Sequence, residues 1–390
     1  MVGVESRFHS ERTGVFHPDD GLAGDPDPAY RAAVEYLNGF VNFERDLEPR
    51  PDTRGEDIVR FRRLLAVLGD PQRRYPVIHI AGTKGKGSTA AIIASVLAAA
   101  GYRVGLYTSP HLITVRERIR IDDRMVSQPE FAQLIDVIRS SPDDLRFGDR
   151  IAFRTVFEHL TAAALTAFAH RGVDCAVVEA GLGGRLDATV TVDPALTVMT
   201  PIGRDHTGVL GDTVAMIATD KAHVIKRGIP VVTAPQVQSA LEAVLRRARS
   251  MSAPVTIAPG RIEFDVVQRT ECGTVVRSSR SGLGQRELKI ALAGDFQLDN
   301  ASTALTAIER LRSIGFDISP DAVVEGLRNV NWEGRLQFIS ERPTVVLDGA
   351  HNSLAVRMVK RALDALRCLL YTSDAADELD GVDLGGRRII

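Results

Sequence analysis

Short apolar runs alternate with longer amphipathic stretches along most of the chain. Residues 77–81 and 174–179 are rich in β-branched and other apolar residues, with the length of buried strands. Each run leads into a glycine-rich loop, and helical periodicity resumes after residue 87. Strands that alternate with helices in this way predict an α/β fold with a doubly wound, mostly parallel sheet.

The same patterns predict the other elements. Helices are expected at 28–46, 56–68, 88–100, 127–140, 154–170, 214–228, 236–250, 297–313, 319–329 and 354–367. Further strands, some with the loop that follows them, are expected at 104–111, 117–123, 195–206, 230–235, 254–258, 288–294 and 344–352. Strand-like stretches at 262–269 and 273–279 indicate a small antiparallel appendage.

Composition excludes several classes of protein. A length of 390 residues suits about two domains, and 44% hydrophobic with 25% charged residues is ordinary for a globular protein. The net charge of -2 gives no indication of a nucleic-acid partner. We expect no membrane span and no signal peptide, and three widely spaced cysteines suit a reducing cytoplasm.

The stretch Gly82–Thr89 has the composition of a phosphate-binding loop. Three glycines, a lysine and a Ser-Thr pair follow a predicted strand and open a predicted helix. The loop amides and the helix N-terminus would face an anion. Lys86 would reach the β/γ-phosphates, and Ser88 or Thr89 would place a hydroxyl on a phosphate or on Mg²⁺. The spacing departs from the standard pattern because Gly87 separates Lys86 from Ser88.

Other polar residues follow neighbouring strands. Ser109 lies in a Thr-Ser-Pro turn, Glu179 ends a buried strand, and His206 follows Asp205 after the next strand. From the residues alone, Glu179 is either a loop cap or an Mg²⁺ ligand, and Ser109 is either a turn residue or a site residue. Ligands of open α/β sheets bind at the carboxyl ends of the strands, so these loops are expected to converge on one site.

Taken together, the motifs resemble the Mur-ligase superfamily, and specifically folylpolyglutamate synthase/dihydrofolate synthase, over residues 30–365. The resemblance accounts for the unusual phosphate loop, in which Lys84 stands in place of the family's usual asparagine. The other motifs, in chain order, are TSPHL (108–112) with ERI (117–119), EAGLGGRLDAT (179–189), IGRDHTGVLGDT (202–213), DKAHVIK (220–226), WEGRLQ (332–337) and LDGAHN (347–352).

The resemblance implies roles for individual residues. It implies catalytic roles for Lys86, His206 and Lys221, the last as a carbamylated lysine, and Mg²⁺ ligation by Ser109, Glu179 and His206. It implies an ATP site made of Gly82, Thr83, Lys84, Gly85, Lys86, Gly87, Ser88, Thr89, Gln297, Asn300, Arg335, Asp348 and His351. It implies a substrate side made of Thr108, Pro110, His111, Glu117, Arg118 and Phe157.

The implied reaction is ATP-dependent joining of L-glutamate to a folate or dihydropteroate carboxylate through an acyl phosphate, catalysed by a cytoplasmic monomer. Two alternatives remain. One is a Mur-type ligase that acts on a UDP-muramyl precursor, and the other is a non-catalytic nucleotide-binding fragment. The sequence does not separate dihydrofolate synthase from folylpolyglutamate synthase activity.

The domain prediction follows the motifs. We expect a disordered segment at 1–27, an ATP-binding Mur-ligase-like domain at 28–337, and the start of a second, Rossmann-like glutamate-ligase domain at 338–367 with one strand and one helix. Residues 368–390 resemble the in-frame translation of a transposon-type sequencing-library adapter. This resemblance predicts that the native reading stops near Arg367, which leaves the second domain truncated; the alternative is a genuine polar tail.

Overall fold

The computed structural model describes residues 27–40, 42, 54–140, 146–147, 150–151, 155–283, 286–350 and 353–367. The predicted disordered segment up to residue 26 and the tail at 368–390 lie outside the described residues. Asp27, the last residue of that segment, is ordered, because its carboxylate accepts the backbone N–H groups of Ala29 and Tyr30 and caps the first helix.

Eleven helices and fifteen strands occur in the described part of the chain. The helices are α1 (Pro28–Asn38), α2 (Arg54–Val67), α3 (Lys86–Ala99), α4 (Gln128–Arg139), α5 (Val156–Arg171), α6 (Thr207–Leu210), α7 (Val214–Lys221), α8 (Gln238–Ser250), α9 (Phe296–Ser313), α10 (Pro320–Asn329) and α11 (Ser353–Arg367). The strands are β1 (Val77–Ala81), β2 (Val104–Tyr107), β3 (Ile119–Ile121), β4 (Arg124–Met125), β5 (Arg146–Phe147), β6 (Arg150–Ile151), β7 (Cys175–Glu179), β8 (Pro194–Met199), β9 (Val231–Thr233), β10 (Val255–Ile257), β11 (Phe264–Thr270), β12 (Gly273–Ser278), β13 (Glu287–Ile290), β14 (Gln337–Glu341) and β15 (Thr344–Leu347).

The main sheet has eight strands in the order β10-β9-β8-β1-β7-β2-β3-β4. The strands from β10 to β2 are parallel, and β3 and β4 add an antiparallel edge. β1 lies between β7 and β8, with Ile78 opposite both Val177 and Leu196. This arrangement confirms the predicted α/β class, and it brings the carboxyl ends of β1, β2, β7 and β8 side by side.

Helices cover both faces of the sheet. One apolar core joins Ile78 and Ile80 of β1 to helices α3, α9 and α10. A second joins Val77 of the same strand to α1, α2, α4 and α5. Because side chains alternate along a strand, β1 contributes to both cores, which explains why its sequence is apolar almost throughout.

Three smaller sheets complete the described fold, the smallest being the antiparallel pair of β5 and β6. Strands β11, β12 and β13 form the predicted antiparallel appendage, with Val276, Leu288 and other side chains in the same core as α9. Strands β14 and β15 pair antiparallel, and α11 packs Ala362 and Leu366 against Leu336. In the described residues, no helix is long and apolar enough to cross a membrane.

Four predicted elements differ from the structure. The strand predicted at 117–123 begins within a 3-10 turn (Val115–Arg118), and only Ile119–Ile121 forms a strand there. The helix predicted to reach residue 46 ends at Asn38, where Gly39 caps it through backbone bonds to Tyr36 and Leu37. The helix predicted at 214–228 ends at Lys221 and gives way to a 3-10 turn (Ala222–Val224), after which the backbone of Ile225 is extended. The segment after residue 337 has two strands, where one was expected.

Candidate active site

The phosphate loop connects β1 to α3 through backbone that only glycine adopts easily. Gly85 has a φ of 79° and forms the N-cap of α3. A Cβ at Gly85 would lie 2.1 Å from Asn300 Oδ1, and one at Gly82 would lie 2.0 Å from Thr200 Oγ1. Both positions therefore require glycine for their conformation and for the close approach of a neighbour. The N-terminus of α3 is left facing the loop, as an anion site requires.

The loop is fastened to the segment that follows β8. The backbone N–H groups of Thr83 and Lys84 both donate to the carbonyl of Pro201, at 2.9 and 3.1 Å. The Thr83 hydroxyl accepts the N–H of Gly203 at 3.2 Å and lies 3.3 Å from its carbonyl. Lys84 Nζ lies 3.5 Å from Asp205 Oδ2. The predicted convergence of these two strand-end loops is confirmed.

Lys86, Glu179 and Ser109 meet beneath the loop. Lys86 Nζ lies 3.6 Å from Glu179 Oε1, and the backbone N–H of Ser109 donates to Glu179 Oε2 at 3.2 Å. Glu179 is only 3% exposed. Burial raises the pKa of its carboxyl, while Lys86, the Ser109 N–H and the charge of Arg335 oppose the rise. The structure thus joins three strand ends, those of β1, β2 and β7.

Two aspartates hold the glycine-rich loop after Glu179. Asp187 accepts the N–H groups of Leu182 and Thr189, each at 2.9 Å. Asp220, on α7, accepts the N–H of Gly184 at 2.9 Å and pairs with Arg185 at 3.5 Å. The loop is therefore fixed from both sides beside the Glu179 carboxylate.

Lys221 is buried at the end of α7, with 3% of its surface exposed. Burial and the neighbouring charge of Lys86 lower the pKa of its amine to about 7, against the opposing charges of Asp205, Asp220 and Asp187. Lys221 is therefore an interior amine with a substantial neutral fraction near pH 7.

His206 lies at the start of α6, and its side chain is more exposed than those of Lys86, Glu179 and Lys221. It adopts a φ of 50°, caps α6 and keeps 42% of its side chain exposed. Its Nε2 lies 3.9 Å from Asp205 Oδ1. No cluster of three or more His, Cys, Asp or Glu side chains able to hold a metal occurs in the described residues, so the role of His206 toward Mg²⁺ stays a prediction.

The N-terminal turn of α9 lies over the phosphate loop. Asn300 donates to Gln297 Oε1 at 2.8 Å, and Gly85 approaches Asn300 closely. Trp332 covers Gly87, where a Cβ would lie 2.9 Å from the indole ring. Buried polar atoms without a hydrogen-bond partner among the described residues gather here: Thr89 Oγ1, Gln297 Nε2 and Trp332 Nε1. This donor set fits a polar, phosphorylated ligand.

The predicted substrate-side residues mostly organise the loop after β2. Glu117 accepts the N–H groups of Leu112, Ile113 and Thr114, each at 2.7 Å. Arg118 Nε donates to His111 Nδ1 at 2.9 Å, and its carbonyl accepts the N–H of the buried Thr108.

The two remaining substrate-side residues are Pro110 and Phe157. Pro110 lies between Ser109 and His111 in the same loop. Phe157 packs against Tyr107, with ring centroids 5.8 Å apart, and against Gly181. Five of the six predicted residues therefore lie in the segment between β2 and β3, and Phe157 of α5 packs on the last residue of β2.

Arg335 and Asp348 border the site, and Arg335 is close enough for its charge to act on Glu179. Asp348 accepts the N–H groups of Leu336 and Ala350, at 2.8 and 2.7 Å, and so joins β15 to the segment before β14. Arg335 donates to the carbonyl of Gly334 at 3.0 Å. The ribose contact of Asp348 and the phosphate contact of Arg335 stay predictions, and His351 lies outside the described residues.

The chemistry of these donors fits Mg²⁺ together with a nucleotide. Mg²⁺ is held through one or two carboxylates plus substrate phosphates, and it does not need a cage of protein ligands. Glu179 supplies one buried carboxylate, and Ser88 and Thr89 lie buried at the first turn of α3. A cation would favour the ionised form of Glu179, which burial alone disfavours.

Several residues of the site were not singled out from the sequence. Asp187 and Asp220 lie within the motifs, and Thr200 and Pro201 precede one of them. The contacts of these four residues with the loops depend on which strands are neighbours in the sheet. His79 lies inside β1, where its Nε2 is 2.8 Å from Thr189 Oγ1. A histidine within an apolar strand was the one available signal for this contact.

Comparison with known proteins gives the same class. The site and fold are those of a phosphate-loop α/β protein, and the family profile of the Mur ligase middle domain matches residues 80–308. The dihydrofolate synthase/folylpolyglutamate synthase of Bacillus subtilis is 35% identical over 340 residues, covering 86% of this chain and 76% of the relative.

Solved structures agree. A folylpolyglutamate synthase complex with AMPPCP and folate has a TM-score of 0.77 at 32% identity, over 86% of this chain and 80% of the other. Mycobacterium tuberculosis folylpolyglutamate synthase complexed with ADP has a TM-score of 0.74 at 33% identity, over 86% and 73%. The chain therefore belongs to the folylpolyglutamate synthase/dihydrofolate synthase family of Mur ligases.

Proposed function

We propose that this protein is an ATP-dependent ligase that joins L-glutamate to the carboxylate of a folate or a dihydropteroate. The observation that carries the proposal is the meeting of Lys86, Glu179 and Ser109 under a glycine loop at the carboxyl ends of β1, β7 and β2. Relatives with this activity, and a structure holding AMPPCP and folate, support it.

In the proposed reaction, a carboxylate oxygen of the folate or dihydropteroate attacks the γ-phosphorus of ATP, and the bond to ADP breaks. The amine of glutamate then attacks the acyl carbon, loses a proton, and phosphate leaves as the amide forms. The chain positions the reactants and offsets charge, as in other phosphoryl transfers. Lys86 and the N-terminus of α3 would face the phosphates. The ion pair with Glu179 orients the Lys86 ammonium.

We propose that Glu179, with Ser109 and His206, holds Mg²⁺, which would neutralise charge on the phosphate oxygens when bound.

We also propose that Lys221 is carbamylated. Carbamylation requires a neutral amine, and the buried Lys221, with its pKa lowered to about 7, supplies one. A ¹³C carbamate resonance on bicarbonate labelling, lost in Lys221→Met, is the expected observation; no such resonance would overturn this assignment.

We further propose a cytoplasmic monomer with the domain division predicted from the sequence. Cys175 and Cys272 form no disulfide, which suits a reducing compartment.

The test is ADP release from ATP with glutamate and either dihydropteroate or tetrahydrofolate. We expect release to depend on a pteroate, and Lys86→Ala to reduce it by about 100-fold or more because a charge that stabilises the transition state is lost. Lys289→Ala, an exposed lysine on β13, is the matched control. Release only with a UDP-muramyl precursor would favour the other ligase class. AMPPCP binding without turnover on any substrate would favour a nucleotide-binding module.

A further inference from the structure

The phosphate loop carries two lysines, and the mechanism uses one of them. Lys84 and Lys86 flank Gly85, and their amines contact different carboxylates, on Asp205 and on Glu179. One lysine is enough for an ordinary phosphate loop. The second amine therefore needs its own explanation.

Lys84 is anchored at its backbone, and its ammonium makes a single contact, at 3.5 Å, among the described residues. Its N–H donates to Pro201, which anchors the main chain. Its ammonium lies 3.5 Å from Asp205 Oδ2, with side chains 23% and 18% exposed. A lysine carries its charge on a flexible stem and has no planar fork that fixes its partner. A stronger anion in the loop can therefore take this amine without movement of the backbone.

Asp205 connects the same contact to the next loop. Its Oδ1 accepts the N–H of His206 at 3.1 Å and lies 3.9 Å from His206 Nε2. Its charge also acts on the buried Lys221. Asp205 is thus a negative charge placed between the phosphate loop and two of the predicted catalytic residues.

We propose that Lys84 exchanges partners: its ammonium leaves Asp205 for the phosphates of a bound nucleotide and releases the Asp205 carboxylate toward His206. This inference rests on the proposed function, since it takes a nucleoside triphosphate as the ligand of the loop. The empty loop would keep Asp205 neutralised, and an occupied loop would leave Asp205 to orient His206. Lys84 and Asp205 are positioning residues in this scheme.

Exchange makes the two single variants act in opposite directions. Lys84→Met loses a charge that favours the phosphates, so we expect AMPPCP affinity to fall about tenfold. Asp205→Asn frees Lys84 from its competitor and removes a nearby negative charge, so we expect affinity to rise about threefold. The amide keeps an oxygen to accept the His206 N–H. A merely structural ion pair would instead make both variants bind more weakly.

The experiment is isothermal titration of AMPPCP, with MgCl₂, into the full chain. Glu287→Gln is the matched control, because it removes the acid of the exposed Arg277–Glu287 pair on the appendage and should leave affinity unchanged. Asp205→Ser is a second variant without a carboxylate, for use if Asp205→Asn does not fold. Circular dichroism checks the fold of each variant.

The outcomes separate the two proposals. Wild-type protein that fails to bind AMPPCP would contradict the proposed function and remove the basis of the exchange. Wild-type binding together with weaker binding by Asp205→Asn would overturn the exchange alone, and so would no change in Lys84→Met. Weaker binding by Lys84→Met with tighter binding by Asp205→Asn would support both.

Discussion

At the scale of single residues, burial and hydrogen bonding together set the protonation of His79, next to the site. His79 is fully buried in β1, and burial, with the nearby charge of Lys226, lowers the pKa of its imidazole to about 3. The Thr189 hydroxyl donates to Asp187 Oδ1, so it must accept from His79 Nε2–H. A chain of three residues thus connects the central strand to the loop beside Glu179.

This chain predicts a pH dependence of stability. Because the folded-state pKa of His79 lies below that of the unfolded chain, the unfolded state binds more protons below about pH 6.5. As the pH decreases from about 6.5 to 3, the free energy of unfolding should therefore decrease, by about 1.4 kcal/mol per pH unit for this group. His79→Gln should be less stable than wild type at pH 7, and the deficit should shrink as the pH falls.

Urea denaturation of both proteins at pH 7, 6 and 5 measures this effect. The matched control is Ser239→Ala, an exposed residue of α8 without a titratable group, for which the difference from wild type should stay constant. Parallel stability curves for wild type and His79→Gln would show that His79 is not held neutral in the folded state.

At the scale of elements, the unit of β1, phosphate loop and α3 positions the site. Two properties of glycine shape the loop. Glycine adopts positive φ easily, and its lack of a Cβ lets a neighbouring side chain approach closely. Gly85 and Gly101 allow the two contributions to be separated. Both have positive φ, 79° and 91°, but Gly85 touches Asn300 while Gly101 faces open space.

We predict that Gly101→Ala costs about 1 kcal/mol, the cost of a left-handed conformation alone. Gly85→Ala should cost more and should also reduce AMPPCP affinity at least tenfold, because Asn300 or the loop must move. Denaturant unfolding and nucleotide titration measure the two effects. Equal losses of stability with unchanged affinity in both variants would mean that the close approach of Asn300 has no consequence.

At the scale of the whole molecule, α3 carries the site into the core. It packs on the sheet on one side and against α9 and α10 on the other. At the crossing with α10, Ser95 Oγ donates to the Gly326 carbonyl at 2.8 Å, and a Cβ at Gly326 would lie 2.5 Å from Val96 Cα. The helix that presents its N-terminus to the ligand therefore has little freedom to shift.

We predict that Gly326→Ala lowers the free energy of unfolding by about 1–3 kcal/mol, since the clash is with backbone and the two helices must separate. Gly282→Ala is the control, because only the distal Arg312 guanidinium lies within 4 Å of its Cβ, at 3.8 Å. Chemical denaturation measures both. A loss in Gly326→Ala no greater than that in Gly282→Ala would contradict the tight crossing.

The sequence predicts much of this protein because its patterns are local. The alternation of apolar strands and helices gave the α/β class, and the spacing of Gly82, Gly85 and Lys86 gave the phosphate loop with its strand before and helix after. Local patterns were less reliable at element ends. The helix predicted at 214–228 continues its apolar pattern past Lys221, but its backbone changes to a 3-10 turn and then to the extended Ile225, which is buried.

Tertiary structure alone decided which polar residues act together. Lys84 meets Asp205 and Lys86 meets Glu179 across 121 and 93 positions of sequence, because β1, β7 and β8 are neighbours in the sheet. Lys221 looks like any helical lysine in the sequence, and its lowered pKa arises from burial beside Lys86. Periodicity fixes which residues face inward, whereas distances, charges and protonation depend on long-range packing that no local pattern contains.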